Sequence, residues 1–144
     1  MSDDRKPSQE QLLPLLSRAI ELAGAKLAPE TLKSVGEVFQ VLLWDFVDCG
    51  VKAYLIIGDE GQLSFVSQAD RAADGTVKIE ARALHDMALG RVPVALAFLG
   101  GKLRVQGLPA LKLRRFIPLL EPFLEGYRQA WQEIREGRSG QVLP

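Results

Sequence analysis

Apolar residues recur along this chain at two periods, and the period changes at defined points. Leu12, Leu15, Leu16, Ala19 and Ala23 follow the three-and-four spacing that lines one face of a helix. Ser8 with Gln11 three residues on has the form of a capping box and marks its start. Pro14 predicts a kink or a later start, and Gly24 an end. Pro29 suits the first turn of a second, short helix stopping at Gly36. Val38 to Phe46 is apolar at odd and even positions alike, which predicts a strand covered on both faces, although periodicity leaves a helix open. Asp48-Cys49-Gly50 reads as a turn and Lys52 to Ile57 as a strand. Gly58 to Gly61 is then a tight connection and Leu63 to Val66 the third strand of an antiparallel meander.

The stretch from Ala73 to Gly107 changes character three times. Val77 and Ile79 alternate with Lys78 and Glu80, the mark of a half-buried strand. Leu84, Met87 and Ala88 form the apolar stripe of a helix of about two turns, stopped at Gly90. Val92 to Leu99 is apolar but for Pro93, and it falls well short of the roughly 20 residues that cross a bilayer as a helix. Gly100-Gly101 turn the chain into a strand in which Leu103 and Val105 alternate with Arg104 and Gln106. Beyond Gly107, Pro118 and Pro122 predict two broken helical segments. Phe123, Tyr127, Ala130, Trp131 and Ile134 give the second one an apolar face. This order predicts an α+β domain with helices packed on one face of a mixed or mostly antiparallel sheet. Residues 1–7 are expected to be disordered, 8–136 to form a single domain, and 137–144 to be a flexible tail.

At 144 residues, 47% hydrophobic and 25% charged, the chain is large enough for one core without disulfides or a structural metal. Its 18 basic and 18 acidic residues balance overall but not locally. Residues 1–90 carry a net −5 and residues 91–144 a net +5. Arg91, Lys102, Arg104, Lys112, Arg114 and Arg115 follow one another without an acidic residue between them. Such a run suits an anionic membrane surface, and it equally suits an ordinary solvated face. A single cysteine, Cys49, fits a reducing compartment, and with no secretory signal the expectation is a cytoplasmic protein.

Chemistry-bearing residues are sparse. His85, Asp86 and Cys49 would need mutual hydrogen-bond reach to act as a nucleophilic set. The plainer reading is a surface histidine on a short helix and a small buried thiol. One histidine and one cysteine offer no metal-ligand spacing, and the glycines at 58, 61, 100 and 101 read as turns rather than a phosphate cradle. Trp44 and Trp131 are expected in the core. No cofactor, metal or catalytic residue is expected, and the chain is read as a container rather than an enzyme. Nucleic acid is not expected either, for want of a recognition helix or interleaved stacking aromatics.

Gly90 to Gly107, with its Gly90-Arg91 helix end, Pro93, the Ala97-Phe98 pair and the Gly101, Lys102, Leu103, Arg104, Val105, Gly107 strand, resembles the sterol carrier protein 2 family of nonspecific lipid transfer proteins. The likeness is strong over 72–107 and extends from Val38 onward. It implies a five-stranded sheet enclosing an apolar tunnel for a fatty acid, acyl-CoA or a sterol or isoprenoid-like lipid, with no catalysis in the domain. On this resemblance the ligand is expected to meet Leu84, Met87, Leu96, Phe98, Leu99, Leu103, Val105, Leu111, Phe116, Leu120 and Phe123. The alternative it raises is an accessory protein that presents a lipid intermediate to partner enzymes, for example in quinone biosynthesis. The face from Phe123 to Ile134 would then serve for docking.

Overall fold

Five strands form one sheet in the order β3-β2-β1-β4-β5. They are β1 (Val41–Phe46), β2 (Val51–Ile57), β3 (Leu63–Val66), β4 (Gly75–Ile79) and β5 (Leu103–Gln106). The computed structural model describes residues 7–109, 111 and 114–136, so residues 1–6 and the expected tail at 137–144 lie outside the described residues. Pro7, the last residue of the stretch expected to be disordered, is buried. The meander β1-β2-β3 is antiparallel as its turns require, β4 pairs parallel to β1, and β5 returns antiparallel along β4. The result is an α+β architecture with a mixed sheet.

Alternate strand residues point into one core. Leu42, Trp44 and Phe46 of β1 align in register with Leu55 and Ala53 of β2 and with Val77 and Ile79 of β4, and all are buried. Leu43 and Asp45 on the opposite face are only half-buried, so β1 is covered fully on one face and not, as its continuous apolar run suggested, on both. The parallel start of β1 and β4 is clamped by Asp74. Its Oδ2 accepts from the amides of Gln40 (2.8 Å) and Val41 (3.1 Å), and its Oδ1 from Arg71 (2.9 Å).

The core face is roofed by α1 (Gln9–Lys26) and α5 (Ile117–Arg135), with α2 (Pro29–Gly36), α3 (Ala81–Ala88) and α4 (Val94–Leu99) around them. The Ser8 and Gln11 capping box forms in both directions. Neither long helix breaks at its prolines. α1 passes through Pro14 and ends two residues beyond Gly24, and α5 passes through Pro122 unbroken. Pro118 lies in the first turn of α5, where no helical donor is lost. Pro14 and Pro122 each cost one bond, to the carbonyl of Glu10 or of Pro118. Both of those residues are exposed, and the packing of the two helices outweighs the loss.

The roof helices approach closely. A Cβ on Gly126 would lie 2.5 Å from the carbonyl oxygen of Ala19, so only glycine allows this crossing. Arg18 then reaches Glu133 through Nε (3.1 Å) and a second nitrogen (3.2 Å), and Lys26 reaches Glu125 (3.1 Å). The Glu133 carboxylate, followed by Glu21, holds the Arg18 guanidinium above its ordinary pKa.

Candidate ligand-binding interior

Helix α3 borders the interior, and its position is set by residues distant in sequence. Glu80 at its N-cap makes no side-chain cap bond. Asp48, from the β1-β2 turn, takes over that role by accepting from the amides of Ala81 (2.7 Å) and Arg82 (3.2 Å). At the other end Arg128 of α5 donates to the Ala88 carbonyl at 2.8 Å, meeting an orphan acceptor with a positive charge. Held at both ends, α3 buries Leu84 and Met87 as its spacing predicts, and it also buries His85.

The burial of His85 corrects the surface assignment. It is 1% exposed, its Nδ1 lies 3.0 Å from the Tyr127 hydroxyl, and its ring stands edge-on to Trp131 with centroids 5.2 Å apart. Burial, and after it the Asp86 charge, push the Tyr127 phenol far above its ordinary pKa, so the hydroxyl keeps its proton. The short helix buries a wider arc than its hydrophobic stripe marks, because α5 packs along it. Cys49 is half-buried in the turn after β1 rather than in the core.

One helical turn before Tyr127, Phe123 joins an aromatic group on the sheet. Trp44 contacts Phe123 and Phe65 at 5.8 Å each and Phe46 at 6.2 Å, and Phe65 meets Phe123 at 6.1 Å. Both tryptophans are buried, as expected.

The eleven residues expected to meet a ligand fall into four groups. Leu84, Met87 and Phe123 are buried in the core, and Leu103, Val105 and Leu120 are half-buried. Leu96, Leu99 and Leu111 are 60%, 79% and 78% exposed. The side chains of Phe98 and Phe116 lie outside the described set. Trp44, Phe65, His85 and Tyr127 are also interior and stand outside the eleven expected residues. The alternation of Leu63 and Phe65 about Ser64 was the available signal for Phe65; Trp44 lies in a run apolar at odd and even positions, and nothing local marks His85 and Tyr127 as partners.

A family model for the SCP-2 sterol transfer family matches residues 16–120, from the middle of α1 into α5. The chain belongs to the SCP-2 sterol transfer family. No curated protein matches the sequence. Among solved structures, this chain is similar to the stereoselective inverting sec-alkylsulfatase Pisa1 from Pseudomonas sp., with 26% identity and a TM-score of 0.50 over 67% of this chain. The chain spans 15% of that enzyme's length. It is also similar to the UbiJ-SCP2 ubiquinone synthesis protein (17% identity, TM-score 0.54, 80% of this chain and 93% of that one) and to a sterol carrier protein 2 (12%, 0.50, 79% and 97%). These two likenesses are of fold.

On the surface the basic run is partly neutralised. Arg91 lies 3.4 Å from Asp86 and Arg115 2.9 Å from Glu37, whereas Lys102, Arg104 and Arg114 stand exposed and Lys112 lies outside the described residues. The Phe123 to Ile134 face is not free for docking: Phe123, Tyr127, Ala130 and Trp131 are buried and Ile134 half-buried. A cleft of about 390 Å³ lies at the end of α5, lined by Leu89, Arg128, Trp131, Gln132, Arg135 and Glu136, and includes none of the eleven expected residues. Among the described residues no helix is long and apolar enough to cross a membrane, and no group of His, Cys, Asp or Glu suits a metal ion.

Proposed function

We propose that this chain binds and carries a hydrophobic ligand, a fatty acid, acyl-CoA or a sterol or isoprenoid-like lipid, in an apolar tunnel between the sheet and its roof helices, without catalysis. Membership of a sterol transfer family over residues 16–120 carries the reading. In it, Leu84, Met87 and Phe123 form the inner wall and Leu103, Val105 and Leu120 the flank. Leu96, Leu99 and Leu111 form an apolar rim. Energetics suit a reversible carrier. Burying a 16-carbon chain gains roughly 12 kcal/mol at about 0.8 kcal/mol per methylene, and immobilisation takes back roughly 4–15 kcal/mol. The exposed Leu96 and Leu99, with Lys102 and Arg104 on the turn and strand that follow α4, would meet an anionic bilayer from which lipid is collected.

A second reading, presentation of a lipid intermediate to partner enzymes, draws on the likeness to the UbiJ-SCP2 ubiquinone synthesis protein. Because the α5 face is packed inside, such a partner would have to meet the α4 rim instead.

Native mass spectrometry of gently purified protein should show a mass excess that dissociates as lipid. Repeated preparations carrying nothing, together with failure to bind a fluorescent fatty acid, would remove both readings.

A further inference from the structure

Trp44 is 3% exposed, and among the described residues its Nε1–H meets no acceptor. An indole donor left unmet in a protein interior is costly, because folding strips it of water and gives nothing back. Phenylalanine would fill the same place among rings without that penalty, as Phe46, Phe65 and Phe123 do around it at 5.8–6.2 Å. The cross-strand neighbours of Trp44 are Ala53 on β2 and Val77 on β4. Ala53 is the smallest inward side chain of its strand, beside Leu55 and Ile57, so the wall steps back next to the indole.

We infer that Trp44 donates from Nε1 to a neutral oxygen of the bound lipid, so that the interior selects a hydrophobic molecule with a ketone, ester, quinone or alcohol group within its apolar body over a plain hydrocarbon. The inference rests on the lipid-carrier reading and narrows its ligand class. The oxygen is neutral because the three phenylalanine rings around the indole carry no countercharge, and an ionised carboxylate there would lose its hydration for a single donor. A fatty acid would therefore keep its carboxylate away from this point.

The matched probes are dodecan-2-one and dodecane, each displacing diphenylhexatriene from delipidated protein, with the indole N–H resonances followed in parallel. The ketone should move the Trp44 indole N–H downfield and dodecane should not. Trp44→Phe should weaken the ketone about five- to tenfold more than it weakens dodecane. Equal losses for ketone and dodecane in Trp44→Phe would make the residue a packing element and overturn the inference. So would an unmoved indole resonance in ketone-saturated wild type, and that measurement decides the matter even if the variant fails to fold. In either case binding of diphenylhexatriene leaves the carrier reading standing. If no probe binds the wild-type protein, the carrier reading falls, and this inference with it.

Discussion

Asp74 shows how one side chain ties separate strands. Burial raises the pKa of its carboxyl, but the Gln40 and Val41 amides and the Arg71 charge outweigh that and hold it below the ordinary value. A carboxyl whose pKa is lower folded than unfolded adds stability that is fully present above the unfolded value of about 3.9 and is lost as pH falls through the folded one. Asp74→Asn should therefore lose about 1–2 kcal/mol in urea unfolding at pH 7, with the gap to wild type closing as pH falls below about 4. A gap that stays constant with pH would contradict the assignment. Residues of this kind were not legible in the sequence. The Ser8 cap could be read because its partner, Gln11, is three positions away. The backbone amides that Asp74 and Asp48 hold are 33 or 34 residues off, the carbonyl that Arg128 meets is 40, and the Tyr127 hydroxyl beside His85 is 42. Local spacing carries no trace of such pairings.

Among elements, the α1–α5 crossing depends most on a single position. Gly126 is buried against the Ala19 carbonyl, a backbone atom that cannot rotate away. Gly126→Ala should improve helix propensity yet lower stability by about 1–3 kcal/mol, because the helices must separate and loosen the core beneath. A circular-dichroism melt at or above the wild-type midpoint would show that the helices yield freely. The helices and strands themselves were largely legible, since alternation and three-and-four spacing mark their inward faces. The prolines misled because their penalty was judged within an isolated helix. Pro14 and Pro122 lie within helices that bury Leu12, Leu15, Leu16, Phe123 and Tyr127, and that burial exceeds one lost hydrogen bond.

For the whole molecule, the exposed α4 leucines and the basic Lys102 and Arg104 that follow them make one testable surface. Wild-type protein should co-sediment with vesicles containing phosphatidylglycerol, less so as salt rises. Leu99→Asp should weaken that binding while changing unfolding free energy by no more than about 0.5 kcal/mol, because Leu99 is 79% exposed. Retained binding in the variant would place the contact elsewhere. Family membership was legible because Gly90 to Gly107 packs several fixed turns and an alternating strand into a short segment. The parallel pairing of β4 with β1 was not, since strand order depends on contacts between segments that their own residues do not encode.

The Arg18–Glu133 pair joins residues 115 positions apart, and it closes a roof whose halves come from opposite ends of the sequence. On the ribosome every strand emerges before the second half exists, so the nascent sheet waits with its oily side bare. Any delay or truncation ahead of Ile117 should leave a chain that clumps or clings to chaperones instead of folding.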